Sequence, residues 1–344
     1  MQAEGVPMVQ PLPWHQTIWQ QLQSRRQQLP HAILLHGMTG IGKAHFSEAL
    51  AASLLCEAPH STNGACGHCQ ACNWLSQGNH PDFRRILPPA DMPSEDAEPA
   101  KRSGLWIGIE AIRDLTDFVQ LTSHRSGVKV VLIPSAEKLN QAAANALLKT
   151  LEEPPAGVIF ILVCQQLGRV LPTIRSRCQK ISLPAPARGE ALAWLADQRL
   201  SGHEMLLDLS GGMPLLTAQY ANDEVLASLP TVLEWFSAPR KDPVQVAQDW
   251  SKLPLSTLHD WLGKWLYDLL RLSVGGQIKY YPDKSDALQN LAGRTDSVAL
   301  MECMTALQQD KRLLSHPLNQ KLMLENWLFS YRGLWQKRAV PVSS

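Results

Sequence analysis

A glycine-rich turn between a short apolar run and a helical segment constrains the fold of this chain more than any other feature. The apolar run is AILLH (32–36), and the turn GMTGIGK fits the pattern G-x-x-x-x-G-K through Gly37, Gly42 and Lys43. The helical pattern AHFSEALAASLLC follows directly. Strand, glycine-rich turn and helix in this order predict a loop whose backbone N–H groups surround phosphates, with Lys43 adding a positive charge.

Two further apolar runs extend this unit into a sheet. VKVVLI (128–133) and VIFILV (158–163) are continuous and rich in β-branched residues, as expected for buried parallel strands. Between them lies the helical segment NQAAANALLKTLEE, which Pro154 and Pro155 end. Strands that alternate with helices predict an α/β fold with a parallel sheet covered on both faces.

The groups that hydrolyse ATP in such loops are missing here. The residue after the lysine is normally Ser or Thr, whose hydroxyl binds Mg²⁺, but this chain has Ala44. After the VKVVLI strand, an Asp and a Glu would support the metal and polarise the attacking water, but Pro134 and Ser135 stand there. We therefore predict no useful ATP hydrolysis by this chain, and weak nucleotide binding through Lys43 or none.

Four of the seven cysteines form a cluster with the spacing C-x9-C-x2-C-x2-C. Two successive C-x2-C steps direct sulfurs at one tetrahedral centre, and this predicts structural zinc rather than free thiols or an iron–sulfur cluster. Four thiolates close the site, so a catalytic metal is not expected. The predicted ligands are Cys56, Cys66, Cys69 and Cys72. Three nearby histidines are possible substitute ligands: His60, His68 and His80.

An arginine in the segment LPTIRSRCQKISLP, Arg177, has two interpretations. It is either a surface charge that interacts with a helix C-terminus or an arginine finger. A finger presents its guanidinium to the γ-phosphate of a neighbouring subunit and accelerates hydrolysis by about 10³ to 10⁵. The residues alone leave both interpretations open.

Beyond Pro184 the β pattern fades and the chain reads as helical. An apolar stripe at helical spacing is formed by Leu258, Trp261, Leu262, Trp265, Leu266 and Leu269. We predict that the tryptophans of this region are core or subunit-interface residues rather than stacking platforms for bases.

Composition limits the other classes of function. The net charge of +1 and the pI near 7.7 give no overall basic field for nucleic acid. A zinc protein that binds nucleic acid on its own would need Lys or Arg beside the cysteines, but residues 56–80 contain none. No apolar run of 18 residues and no signal peptide are apparent, so we expect a cytoplasmic protein.

Taken together, these motifs resemble those of the bacterial clamp-loader subunits of the AAA+ class, over about residues 15–215. The motor subunits of that family carry Ser or Thr after the lysine, Asp-Glu after the second strand, and an arginine near the Gly-rich break at 211–214. This chain lacks all three and so resembles the non-hydrolysing members, the delta-prime subunits of DNA polymerase III. The motifs are the phosphate loop, the four-cysteine insert, His80-Pro81-Asp82, NALLKTLEEPP (145–155) and Ser176-Arg177-Cys178.

The resemblance implies three domains: an AAA+ α/β domain with the zinc insert (1–183, insert 56–72), a helical lid (184–225) and a helical collar that oligomerises (226–344). It also implies a five-membered ring with gamma or tau and delta subunits, which loads the β sliding clamp onto primed DNA during replication. Arg177 would then act in trans on the ATP site of a motor subunit. The alternative is an ATP-hydrolysing motor subunit of the gamma or tau kind.

Overall fold

The computed structural model describes residues 10–58, 64–92, 104–123, 127–200, 202–311, 314 and 320–335. The chain divides into two compact units, Met1–Glu190 and Ala191–Ser344. Among the described residues, no helix is both long and apolar enough to cross a bilayer.

The first unit is an α/β structure, as predicted. In chain order its elements in the described ranges are α1 (Gln16–Ser24), β1 (Ala32–His36), α2 (Lys43–Leu55), α3 (Gln70–Ser76), β2 (Phe83–Arg85), α4 (Ile109–Gln120), β3 (Lys129–Ile133), α5 (Gln141–Glu152), β4 (Val158–Cys164), α6 (Pro172–Arg177) and β5 (Gln179–Ser182).

The five strands form one parallel sheet in the order β2-β3-β4-β1-β5. The central strands β1, β3 and β4 are almost wholly buried, because their apolar runs are covered on both faces. All strands end at the same edge, and β1 leads there into the phosphate loop. The predicted parallel sheet is confirmed.

Two short edge strands and the helix α3 are among the elements that the sequence did not predict. β2 (FRR) and β5 (QKIS) carry mostly exposed polar side chains, so no apolar run marks them. The segment 56–80, which lacks an apolar period and reads as a loop, contains α3. This helix begins after Cys69, whose Sγ accepts a hydrogen bond from the backbone N–H of Cys72 and caps the first turn.

From residue 188 onward the regular elements of the described chain are all helical. They are α7 (Arg188–Asp197), α8 (Glu204–Leu209), α9 (Pro214–Ala221), α10 (Leu229–Ser237), α11 (Pro243–Asp249), α12 (Leu255–Ser273), α13 (Ser285–Ala292), α14 (Ser297–Asp310) and α15 (Gln320–Gly333).

An aromatic core holds the second unit together. The predicted stripe lies on α12, and its two tryptophans, Trp261 and Trp265, are fully buried. Trp265 donates to the Tyr331 hydroxyl at 2.8 Å, and the carboxylate of buried Asp268 accepts three backbone N–H groups. These tryptophans are core residues of this unit. The division of the chain into a lid (184–225) and a collar stays a prediction.

Candidate functional site

The phosphate loop has the backbone shape that its glycines predict. Gly40 and Gly42 adopt left-handed φ angles of 82° and 94°, and Gly42 is the residue from which α2 begins. A Cβ on Gly37 would lie 2.5 Å from Ile41 Cδ1 and 2.8 Å from the carbonyl oxygen of Leu183. Close packing of the loop, as well as its curvature, therefore requires glycine here.

The side chain of Lys43 folds back and bonds to carbonyl oxygens of the phosphate loop itself. Its side chain is buried, and Nζ donates to the carbonyl oxygens of Gly37 at 2.9 Å and Met38 at 2.7 Å. Burial lowers the pKa of Lys43, an effect that the charge of Glu137 opposes. Because loop carbonyls already accept two ammonium hydrogens, a phosphate would compete with them for this cation.

Aromatic side chains that precede α1 contact the phosphate loop and the helix α2. Trp14 Nε1 donates to the carbonyl oxygen of Ile41 at 2.9 Å. His15 is fully buried edge-to-face against Phe46 of α2, with 5.4 Å between ring centroids. Burial, and then the charge of His45, lower the pKa of His15 to about 4, so this ring is neutral near pH 7.

The hydroxyl sought after Lys43 and the two carboxylates sought after β3 are absent. Ala44 and Pro134 have no side-chain oxygen, and Ser135 has a hydroxyl in place of a carboxylate. The acidic group electrostatically coupled to Lys43 is instead Glu137, just past the end of β3. Its Oε1 accepts the backbone N–H of Gln165 at 3.1 Å, while Oε2 is buried and has no partner among the described residues. Sequence reasoning missed Glu137, whose only signal is an acidic residue soon after a buried strand.

The four predicted zinc ligands converge at the other end of α2. Their Sγ atoms all lie within 4.8 Å of one another, and two of the pairs, Cys56–Cys69 and Cys66–Cys72, are 3.9 Å apart. Zinc–sulfur bonds of about 2.3 Å place the sulfurs of a tetrahedron about 3.8 Å apart. The donor set therefore fits Zn²⁺, and the cysteines could hold such an ion.

Backbone hydrogen bonds orient this cluster. The N–H groups of Cys66, Cys69 and Cys72 donate to the sulfurs of Cys56, Cys66 and Cys69 at 3.3 to 3.4 Å. Burial raises the pKa of the Cys56 and Cys72 thiols, so four thiolates would not coexist here without a compensating cation. A bound dication reverses this by stabilising the thiolate form.

The histidines considered as substitute ligands bond elsewhere. His68 Nδ1 lies 2.8 Å from the carbonyl oxygen of Cys66, and buried His80 Nδ1 accepts the backbone N–H of Asp82 at 3.0 Å. His60 lies outside the described residues. The cysteines alone form the metal-binding group found in the described structure.

Arg177 is the last residue of α6, and its side chain is one-third exposed. Nη1 donates to the Thr173 carbonyl oxygen at 3.0 Å and to Ser176 Oγ at 3.3 Å, while Nη2 is paired with Glu152 Oε1 at the end of α5. None of its hydrogen bonds in the described structure reaches the phosphate loop. The arrangement leaves a fixed, partly exposed guanidinium on the surface of the first unit.

Comparisons with known proteins agree with the motifs. The family described as "DNA polymerase III, delta subunit" matches residues 14–187, and "DNA polymerase III, delta subunit, C terminal" matches residues 224–332. A DNA polymerase III subunit delta' from Pseudomonas aeruginosa is 36% identical, covering 94% of this chain and 97% of its own length. That of Escherichia coli is 33% identical over 71% of each chain. A solved DNA polymerase III gamma subunit-related protein from Thermotoga maritima has a TM-score of 0.43 at 21% identity, over 92% of this chain and 99% of that one.

Proposed function

The chain belongs to the delta-prime subunit family of DNA polymerase III, and from this premise we propose that it is a non-hydrolysing member of a clamp-loader ring. In this proposal it assembles with gamma or tau and delta subunits, and the ring loads the β sliding clamp onto primed DNA. The chain contributes Arg177 in trans to the ATP site of the neighbouring gamma or tau subunit. It performs no nucleotide chemistry of its own.

The phosphate loop supports the non-hydrolysing part of the proposal. Ala44, Pro134 and Ser135 remove the two metal ligands and the water-polarising carboxylate that such sites use, and each of these groups is commonly worth about 100-fold in rate. Lys43 is engaged by the loop's own carbonyl oxygens. Gly37, Gly42 and Lys43 would therefore bind nucleotide weakly or not at all.

The observation that carries the trans role is the partly exposed, fixed guanidinium of Arg177 on a chain without a complete ATP site. A guanidinium held in place before the reaction stabilises charge that develops on a transferring phosphoryl group, because no reorganisation is needed in the transition state. Its planar fork suits phosphate oxygens better than a lysine does. Zinc held by the four cysteines has a structural role in this proposal, since no open coordination position remains.

The test is pre-steady-state ATP hydrolysis by the reconstituted ring with clamp and primed DNA. Arg177→Ala should slow hydrolysis at the adjoining site by about 10³-fold, so the burst loses the amplitude of one site. Ring assembly, followed by size-exclusion chromatography, should be unchanged. Arg169→Ala is the matched control, because Arg169 is an exposed arginine shortly before α6 on the same unit.

An unchanged burst in Arg177→Ala would contradict the trans role. The alternative, a gamma- or tau-like motor subunit, would require the isolated chain to hydrolyse ATP and to lose that activity in Lys43→Ala. Assaying the isolated chain before its partners are added separates the two.

A further inference from the structure

The contact between Glu152 and Arg177 joins the ends of two successive helices, α5 and α6. Glu152 is the last residue of α5, which packs against α6. Pro154 and Pro155 end that helix directly afterwards, so its final side chain lies at a helix end rather than along a continuing face. Its carboxylate forms an ion pair with Nη2 of Arg177.

Most hydrogen-bond donors of the Arg177 guanidinium are already engaged or buried. An arginine has five N–H hydrogens, two on each terminal nitrogen and one on Nε. Both Nη1 hydrogens have acceptors, Thr173 O and Ser176 Oγ, and Nε is buried with no partner among the residues that the structure describes. One Nη2 hydrogen faces Glu152, so the donor left for a phosphate oxygen is the second hydrogen of Nη2. That hydrogen is bonded to Nη2, the nitrogen that forms the ion pair with Glu152.

We infer that Glu152 is the positioning residue of Arg177: its carboxylate fixes the direction of the one guanidinium donor that remains free for the neighbouring subunit's phosphate. The inference rests on the trans role proposed above. Glu152 touches neither nucleotide nor metal in this arrangement and acts only through Arg177. Catalytic rates are sensitive to such placement, since an error of about 1 Å can cost 100-fold.

The opposite role, a restraint that competes with the phosphate, predicts the opposite result. If Glu152 mainly withheld Arg177 from the neighbour, its removal would accelerate hydrolysis. The free energy of unfolding distinguishes a purely structural role from a positioning role, because exposed ion pairs contribute little to folding. Both side chains of this pair are at least one-third exposed, so the free energy of unfolding should barely change on its loss.

The test compares Glu152→Ala and Glu152→Gln in the reconstituted ring, using the burst at the adjoining ATP site. Glu152→Ala should slow that phase by about 10- to 100-fold while the KM for ATP stays within about twofold, because orientation and not binding is lost. Glu152→Gln keeps an acceptor oxygen in the same place and should retain most of the rate. Glu153→Ala, the same loss of charge one residue on, is the control and should match wild type.

A double variant separates this inference from the trans role. If Glu152 acts only through Arg177, Arg177→Ala combined with Glu152→Ala should be no slower than Arg177→Ala alone. Wild-type or faster hydrolysis in Glu152→Ala, or equal losses in Glu152→Ala and Glu152→Gln, would overturn the positioning role while a slow Arg177→Ala leaves the trans role standing. A wild-type burst in Arg177→Ala overturns both. Melting temperatures and ring assembly check that each variant is folded.

Discussion

The two ends of α2 carry two motifs that proteins use to bind ligands, and they differ in the completeness of their donor sets. At the N-terminal end, the phosphate loop keeps its glycines and Lys43 but lacks the side chains that support a metal. At the C-terminal end, which Cys56 follows directly, four thiol sulfurs lie within 4.8 Å of one another. A single helix of 13 residues separates them.

This difference shows that backbone shape and side-chain chemistry can be retained independently. The loop keeps its curvature because Gly37 and Ile41 pack within the unit and Trp14 bonds to the loop, whatever ligand is present. Backbone N–H groups orient the cysteine cluster, but only a cation would let four thiolates coexist there, because converging thiolates repel one another. We therefore expect ligand removal to matter at one end of α2 and not at the other.

Loss of zinc should have the largest effect. Cys66→Ser should lower the zinc content from about one ion per chain to none, and the free energy of unfolding should fall by about 4 kcal/mol when zinc is present at 1,000 times its dissociation constant. Metal analysis and urea unfolding measure the two quantities. Cys303→Ser, on α14, is the control and should keep its zinc. Full zinc content in Cys66→Ser would show that the cluster is not the metal site.

Acid should destabilise the phosphate-loop end through His15. Its folded pKa of about 4 lies below the unfolded value of 6.5, so between these values only the unfolded chain takes up the proton. Stability is complete above pH 6.5 and decreases as the pH falls towards 4, by about 3 kcal/mol from this group.

The measurement is urea unfolding of wild type and His15→Phe across pH 4 to 7. The variant places an apolar ring beside Phe46, so it should lose less stability in acid than wild type. Taking the difference removes the contribution of the other histidines with lowered pKa values, His36, His80 and His259. Parallel pH profiles for the two proteins would mean that His15 is protonated as readily in the folded state as in the unfolded one.

Restoring the missing donors should have the smallest effect. Ala44→Thr, Pro134→Asp and Ser135→Glu together supply the ligands that the loop lacks, and we expect Mg²⁺-dependent binding of a non-hydrolysable ATP analogue to improve about tenfold, or about 1.4 kcal/mol. Isothermal titration calorimetry measures this change. Adding Lys43→Ala to the triple variant should remove the gain. No gain in the triple variant would mean that closure of the loop by its own contacts, and not the missing ligands, prevents binding.

Much of the sheet could be predicted because apolar runs mark its central strands. β1, β3 and β4 lie within a residue of their predicted ranges, and the two prolines end α5 as expected. The edge strands β2 and β5 were not predicted, because such short polar segments become extended only by pairing with a neighbouring strand. The helix α3 was not predicted, because its cysteines and polar residues give no apolar pattern at helical spacing.

The candidate site also has a part that the sequence predicts and a part that depends on tertiary packing. Convergence of the four cysteines follows from their spacing, which is local along the chain. The inward turn of Lys43, the orphan oxygen of Glu137 and the pairing of Glu152 with Arg177 depend on how separate elements pack, so no local pattern encodes them. The part that Arg177 plays in a neighbouring site stays a prediction.

The pairing of β5 with β1 has a mechanical consequence. Arg177 lies two residues before β5, whose four residues pair in register with β1 from Ile33–Gln179 to His36–Ser182, and β1 runs straight into the phosphate loop. Arg177 thus precedes the first residue pair of this parallel ladder and the phosphate loop follows the last, so the two lie at opposite ends of the same hydrogen-bonded strands. Moving either relative to the other would break hydrogen bonds between β1 and β5, so the sheet sets a fixed distance between the phosphate loop and the arginine that we propose acts on a neighbouring subunit.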